Sequence, residues 1–260
     1  MNTIVTAVGG KLLYDVLGPS AKAIGEELRG YTEQGLKNVG AVLEAAKTAL
    51  THKGAYDPNS TISPRVIGAV FSDSYFCEDE LTQTYLGGVL ASARGPLSRD
   101  DRGMSYLSII RGMSAYQIRT HYIVYASFLN SDDPMKRGNP RNLRECFITI
   151  TMSEALYQRA MAFGESEDPT TIGEHAFVGL AAKGLIQCGE KVVSLPNEKT
   201  STIDPIRYFY PTRLGVELYV WAHGQGSDGT EVYFEEKMKF RIAEDLTIPI
   251  GIHQGNVSFA

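Results

Sequence analysis

The stretch TIGEHAFVGLAAKGLIQCGEKVVSL, residues 171–195, changes its period partway along. As far as Lys183 it reads as a helix: Thr171 and Glu174 stand at capping-box spacing, and Ala176, Phe177 and Leu180 share one face. Gly184 can then take the left-handed backbone that ends a helix. Beyond it, KVVSL (191–195) has the composition of a strand, and RYFY (207–210) supplies a second across the polar connection PNEKTSTIDP (196–205).

The neighbouring sequence extends this helix and hairpin in both directions. Upstream, Ser114 and Gln117 open a helix with Ile118, Tyr122, Tyr125 and Leu129 on one face. The turn SDDPMKRGNP (131–140) leads to RECFITIT (144–151), a short strand, and Ser153 opens a helix reaching about Phe163. Downstream, Thr212 caps a helix carrying Leu214, Leu218 and Trp221. Helix, strand, helix, helix, hairpin is winged-helix order, and residues 113–224 are assigned to such a module.

Residues 1–112 read as a helical domain. Leu36, Val39, Leu43, Ala46 and Leu50 recur at three- and four-residue steps, the stripe of a half-buried helix. Ser63 and Pro64 open a second helix through Val66, Ile67, Val70 and Phe71, with Ser63 as the cap. Glu78, Asp79 and Glu80 crowd the start of a third, where the helix dipole favours negative charge. The loop RGPLSRDDRG (94–103) precedes a brief helix around Tyr106–Ile110. Gly87 and Gly88, inside the third helix, are expected to let helices pack closely.

The tail, residues 225–260, is read as a β-strand extension. Val232, Phe234, Met238, Phe240 and Ile242 alternate with Tyr233, Glu235, Lys237, Lys239 and Arg241, the latter set facing solvent. Pro249 confines residues 246–259 to an edge or turn. The fold class is therefore α+β, mainly α: an N-terminal helical region, a winged-helix-like module and a C-terminal β extension.

Composition limits function. The 260 residues carry a formal charge of −5 and a pI of about 5.6, so no global field draws the chain to a polyanion. Cys77, Cys146 and Cys188 are widely spaced and odd in number, which points to a reducing cytoplasm rather than a disulfide framework. No signal peptide and no constitutive membrane span are expected. Residues 2–17 form a broad apolar face with only Lys11 opposed by Asp15, which suits packing better than an anionic membrane.

Three stretches resemble the Abi-alpha family of prokaryotic abortive-infection proteins. LGPSAKAIGEELRGYTEQGLKNVGAVLEAAKTAL (17–50) is similar to its opening G-P-x-A-K-x-x-G-x-x-L and helix. SPRVIGAVFSDSYFCEDELTQTYLGGVLASA (63–93) matches its Pro-started helix, acidic segment and apolar helix. LAAKGLI (180–186) with YPTRLGVELY (210–219) is similar to its final helix, wing and turn. The resemblance implies phage defence, through host growth arrest, and transfers no catalytic residue.

No catalytic, cofactor-binding or metal-binding constellation is read from the sequence. His175 and Cys188 lack a third orienting group, and His52, His121, His223 and His253 lack zinc spacing. His121 is expected to be a packed helix residue. Candidate phosphate or nucleic-acid contacts are Arg94, Arg99 and Arg102 in the loop, joined by Arg111 and Arg119, and Lys183, Lys191 and Arg207 in the module. Against them stand Asp100 and Asp101 in the loop and Glu190, Glu198 and Asp204 in the wing. The helix 171–183 offers Glu174, His175 and Lys183 where a base reader presents Arg, Lys, Asn or Gln. A defence effector acting through contact with another protein, or through self-association, is favoured. The alternatives are a winged-helix nucleic-acid-binding regulator and a membrane-disrupting toxin using residues 2–17.

Overall fold

A computed structural model describes residues 14–16, 33–53, 59–129, 150–192 and 205–234, with the backbone alone at 53, 127–129, 150–156, 188–192 and 205–210. The described residues are mainly helical. In chain order they form α1 (Glu33–Lys53), α2 (Pro64–Tyr75), α3 (Glu80–Ser92), α4 (Gly103–Arg111) and α5 (Ala115–Leu129). These are followed by β1 (Ile150–Ser153), α6 (Glu154–Met161), α7 (Pro169–Ala182), β2 (Ile186–Val192), β3 (Pro205–Pro211), α8 (Arg213–Ala222) and a single helical turn, α9 (Glu231–Phe234). The turn 131–140, the connection 196–204, the alternation beyond Phe234 and nearly all of segment 2–17 lie outside the described residues.

The chain divides into two compact units, Met1–Ala115 with Val220–Val232 and Tyr116–Tyr219 with Tyr233–Ala260. In the first, Leu36, Val39, Leu43 and Ala46 of α1 are buried, as the stripe requires. Pro64 occupies the first turn of α2, but the Ser63 side chain makes no cap bond. Its carbonyl accepts from Val66 N (3.0 Å) and Ile67 N (3.1 Å) instead. Asp79 caps α3, its carboxylate accepting from Thr82 N at 2.8 Å and Thr82 Oγ1 at 2.6 Å.

α3 is the centre of this unit, because residues 85–92 are buried continuously. A helix buried all round must meet neighbours on every side, and Gly87 and Gly88 make room for two of them. A Cβ at Gly87 would lie 2.6 Å from the Val42 carbonyl of α1, and one at Gly88 would lie 1.7 Å from the Ala222 carbonyl. The close packing expected of this pair is what the structure has. Ser92 Oγ completes the contact, donating to Trp221 O and accepting from Gly226 N, each at 2.9 Å.

The second unit contains a three-stranded antiparallel sheet in the order β1-β3-β2. Ile150 pairs with Phe209 and Ser153 with Ile206, while Ile186 pairs with Pro211 and Val192 with Pro205. β3 is central, and its two prolines stand at its ends, where the ladder tolerates a missing donor. β2 begins five residues ahead of KVVSL. The turn at Gly184 delivers the chain directly to β3, and pairing overrides the weak strand propensity of Gln187–Gly189.

Two further readings are corrected. α7 starts at Pro169 with Asp168 as its cap, so Thr171 and Glu174 form no capping box. Asp-Pro supplies a side-chain acceptor and a preset backbone angle in consecutive positions, which outcompetes a cap three residues later. The strand expected from Val232 is, at residues 231–234, a turn of helix. Tyr233, assigned to the solvent side of that strand, is fully buried and its hydroxyl donates to Tyr125 O at 2.8 Å.

These packing distances separate glycines that look alike in sequence. Gly88→Ala is expected to cost about 3 kcal/mol or more, since backbone cannot yield to the added methyl as a side chain can. Gly40→Ala in α1 and Gly68→Ala in α2, where a Cβ would meet nothing within 4 Å, are expected to stabilise by roughly 0.5–1 kcal/mol. Urea unfolding of the three variants measures the contrast.

Candidate functional site

α7 is the element on which the chain lavishes its local signals. At its start the Asp168 carboxylate accepts from Thr170 N at 3.1 Å and from the Thr171 hydroxyl. These bonds, the Thr171 one first, hold the Asp168 carboxyl below its usual range. Just before it, Glu167 accepts from the Tyr116 hydroxyl and from Gly164 N at 2.6 Å, which lowers the Glu167 carboxyl and raises the Tyr116 phenol.

The helix end is equally determined. Gly184 has φ +68°; its N–H donates to Ala181 O and the Leu185 N–H to Leu180 O, both at 2.9 Å. This is the paired bonding of a Schellman turn, with the buried Leu180 and Leu185 as its apolar accompaniment. The left-handed stop expected at Gly184 is present. Thr212 Oγ1 donates to Gly184 O (2.6 Å) and accepts from Gly215 N (3.0 Å), capping α8 as expected.

Fixed at both ends, α7 buries Gly173, Ala176, Phe177 and Leu180, with Phe177 stacked obliquely on Tyr157 at 4.8 Å. Its other side is open: Thr171, Glu174, His175, Val178 and Ala182 are exposed. Val178, at 66% exposure, is among the few large apolar side chains left in water in the described residues. In sequence it follows Phe177 in an apolar run, and composition alone does not set it apart. Its spacing of four from Glu174 and seven from Thr171 would have placed it outward.

The basic candidates do not gather. Arg94 is buried, and its Nη1 donates to Asp15 O (2.6 Å) and Val16 O (3.4 Å). Arg102 forms a two-pronged bond to Asp100, Nε to Oδ1 at 2.9 Å and Nη2 to Oδ2 at 2.7 Å, and lies over the Trp221 ring. That pairing lowers the Asp100 carboxyl and raises the guanidinium. Arg99 is exposed. Arg111 grips Asp73, and Arg119 Nε donates to Ala160 O at 3.2 Å. Lys183 is the half-buried C-cap residue of α7. On the sheet, Lys191 stands opposite Ile206, and Arg207 opposite Glu190 and Met152.

The reactive candidates are similarly placed by structure. His175 is on the open face of α7, and Cys188 stands opposite Phe209 in the sheet. Burial pushes the Cys77 thiol up to about 11, away from the thiolate form. His121 is fully buried beside Tyr125, with Nε2 3.2 Å from Gly215 O, the packed position expected for it. Among the described residues there is no group of three or more His, Cys, Asp and Glu able to hold a metal ion. Among them, too, no helix is long and apolar enough to cross a membrane.

No protein-family description, curated protein or solved structure matches the chain.

The cap makes a pH-dependent prediction. A depressed Asp168 carboxyl contributes stability that is present above its unfolded value, near 3.9, and is lost as pH falls through the lower folded value. Asp168→Ala is therefore expected to lower Tm at neutral pH, with the difference from wild type shrinking below about pH 4. Thermal melts across that range measure it.

Proposed function

We propose that the chain is an abortive-infection effector that acts in the cytoplasm through its protein surfaces, with the open face of α7 as the principal contact. The second unit is read as a winged-helix-like module. Its order α5, β1, α6, α7 and the β2–β3 hairpin, with β1 paired to β3, supports that reading. In such modules the third helix is the one offered to a ligand.

The observation that carries the proposal is the character of that face. Thr171, Glu174, His175, Val178 and Ala182 point outward, and no Lys or Arg precedes Lys183 along the helix. A groove reader needs cations or amides at the start of the helix, and a carboxylate there repels the phosphates that supply most of the affinity. A short aliphatic side chain amid small and polar ones suits a protein contact, whose centre is depleted of charge. The defence role itself rests on the ordered resemblance of residues 17–50, 63–93, 180–186 and 210–219 to the Abi-alpha family.

Expression in a susceptible host challenged with a phage panel tests both parts. The wild-type chain is expected to lower plaque counts or to arrest host growth; unchanged plaques and unchanged growth remove the defence role. Val178→Glu, at an exposed position, is expected to keep its Tm and to lose about tenfold or more of the protection. A fully protective Val178→Glu removes α7 as the contact. A DNA titration at low salt is expected to show no binding. Salt-dependent binding abolished by changing Lys183, Lys191 and Arg207 would put the nucleic-acid regulator in its place.

A further inference from the structure

A separate surface lies on the first unit, at the two ends of the α2–α3 pair. The backbone bridge between Thr61 and Gly95, with bonds of 2.8 and 2.9 Å, ties the start of α2 to the end of α3. The turn 76–79 is consequently at the other end, about 18 Å away for a helix of this length.

That turn holds Phe76 in water at 84% exposure, well above the other large apolar side chains described. It is nevertheless fixed on both sides. Asn38 Nδ2 donates to Tyr75 O at 2.9 Å, and Gln83 Nε2 donates to Cys77 O at 2.7 Å, from side chains that are themselves buried. The Tyr75 ring stands edge-on to Phe76 at 4.5 Å and closes over Gly35. Two buried amides thus satisfy the carbonyls flanking an exposed phenylalanine. An aromatic anchor already ordered in this way loses little entropy when it is buried by a partner.

Charge distinguishes the two ends. Within four positions of Phe76 in the chain stand Asp73, Glu78, Asp79 and Glu80, and of these Asp73 is paired with Arg111. Glu78 and Glu80 are exposed. At the other end Leu97 is 55% exposed, beside exposed Arg99. There Arg65 and Arg102 are paired with Asp101 and Asp100, and Arg94 is turned onto the backbone at Asp15. Among the described residues Arg99 is in no ion pair, so this end keeps a cation in excess.

We propose that the Phe76 end of one copy docks on the Leu97–Arg99 end of a second copy of this chain. Each end offers one apolar side chain framed by charge of opposite sign, so the unit carries both halves of a complementary pair. Two copies lying side by side in opposite directions make both contacts at once and close as a two-fold dimer, whereas copies joined end to end make a heterologous contact that propagates. The patches are small, so the association is weak and concentration-dependent.

Sedimentation equilibrium of the full chain, up to about 1 mM and at low and high salt, tests this. Association weakened by salt is expected. Phe76→Ser, at an exposed position that leaves Tm unchanged, is expected to weaken it about tenfold or more. Arg99→Glu is expected to weaken it as well, and combining Arg99→Glu with Glu78→Lys and Glu80→Lys in one chain is expected to restore it by exchanging the signs of both ends. A chain that stays monomeric throughout overturns the proposal. So does association that Phe76→Ser leaves intact, or a reversed-charge variant that stays as weak as Arg99→Glu.

Discussion

A single buried phenol sets the geometry of the second unit. The Tyr125 hydroxyl donates to Leu185 O at 2.5 Å and accepts from Thr212 N at 3.1 Å. Leu185 is the residue leaving the turn that ends α7, and Thr212 is the cap that starts α8. One side chain from the middle of α5 therefore fixes where the hairpin leaves and where it returns. Burial raises the Tyr125 phenol far above its ordinary range, so it stays a donor at any working pH. Without it, a buried carbonyl and a half-buried amide would lose a partner, at a cost of about 1–3 kcal/mol for the carbonyl. Tyr125 also offers its own carbonyl to Tyr233, and the rings of Tyr125, Tyr219 and Tyr233 meet at 5.6–6.0 Å between centroids. Aromatic rings with one hydrogen-bonding end can fill a core and still organise its backbone.

The first unit solves a different problem. A helix buried on all sides has no face to spare for side chains of full size, and α3 meets its neighbours partly through absent ones. Gly87 and Gly88 forfeit roughly 1 kcal/mol each of helix propensity, and in return helix backbone reaches helix backbone. Polar groups that this closeness buries are matched at once. Ser92 serves a carbonyl and an amide, and the Arg94 guanidinium, where a cation would otherwise be stranded, faces two backbone oxygens. Burying a charge is tolerable only with such partners.

Much of this was legible in the residues, and two of the exceptions, the start of β2 and the placing of Tyr233, share a cause. The stripe of α1, Pro64 at the head of α2, the acidic start of α3, the stop at Gly184 and the cap at Thr212 all depend on neighbours within a few positions, which is the range over which sequence is explicit. The start of β2 was not legible, because Gln187–Gly189 is a strand only by virtue of β3. Tyr233 was misread for the same reason: alternation predicted its side, whereas a carbonyl 108 residues away decided it. Asp168 is a different failure. Asp-Pro-Thr carries a complete start signal, which the capping-box spacing of Thr171 and Glu174 places three residues too late.

The candidate surfaces were less legible than the fold, because counting cations says nothing of what each one faces. Arg94 and Arg102 look alike in RGPLSRDDRG, yet one is consumed by backbone in the interior and the other by Asp100 and the Trp221 ring. A guanidinium already holding a carboxylate in a two-pronged bond must give that up to bind a phosphate, and the exchange gains little. The same reasoning runs in reverse for Val178 and Phe76. Composition ranks both as core residues, and only placement reveals that water is what they face. The surfaces most worth watching are therefore apolar points held rigidly in solvent, and the arginines that first drew attention are largely spoken for by the chain itself.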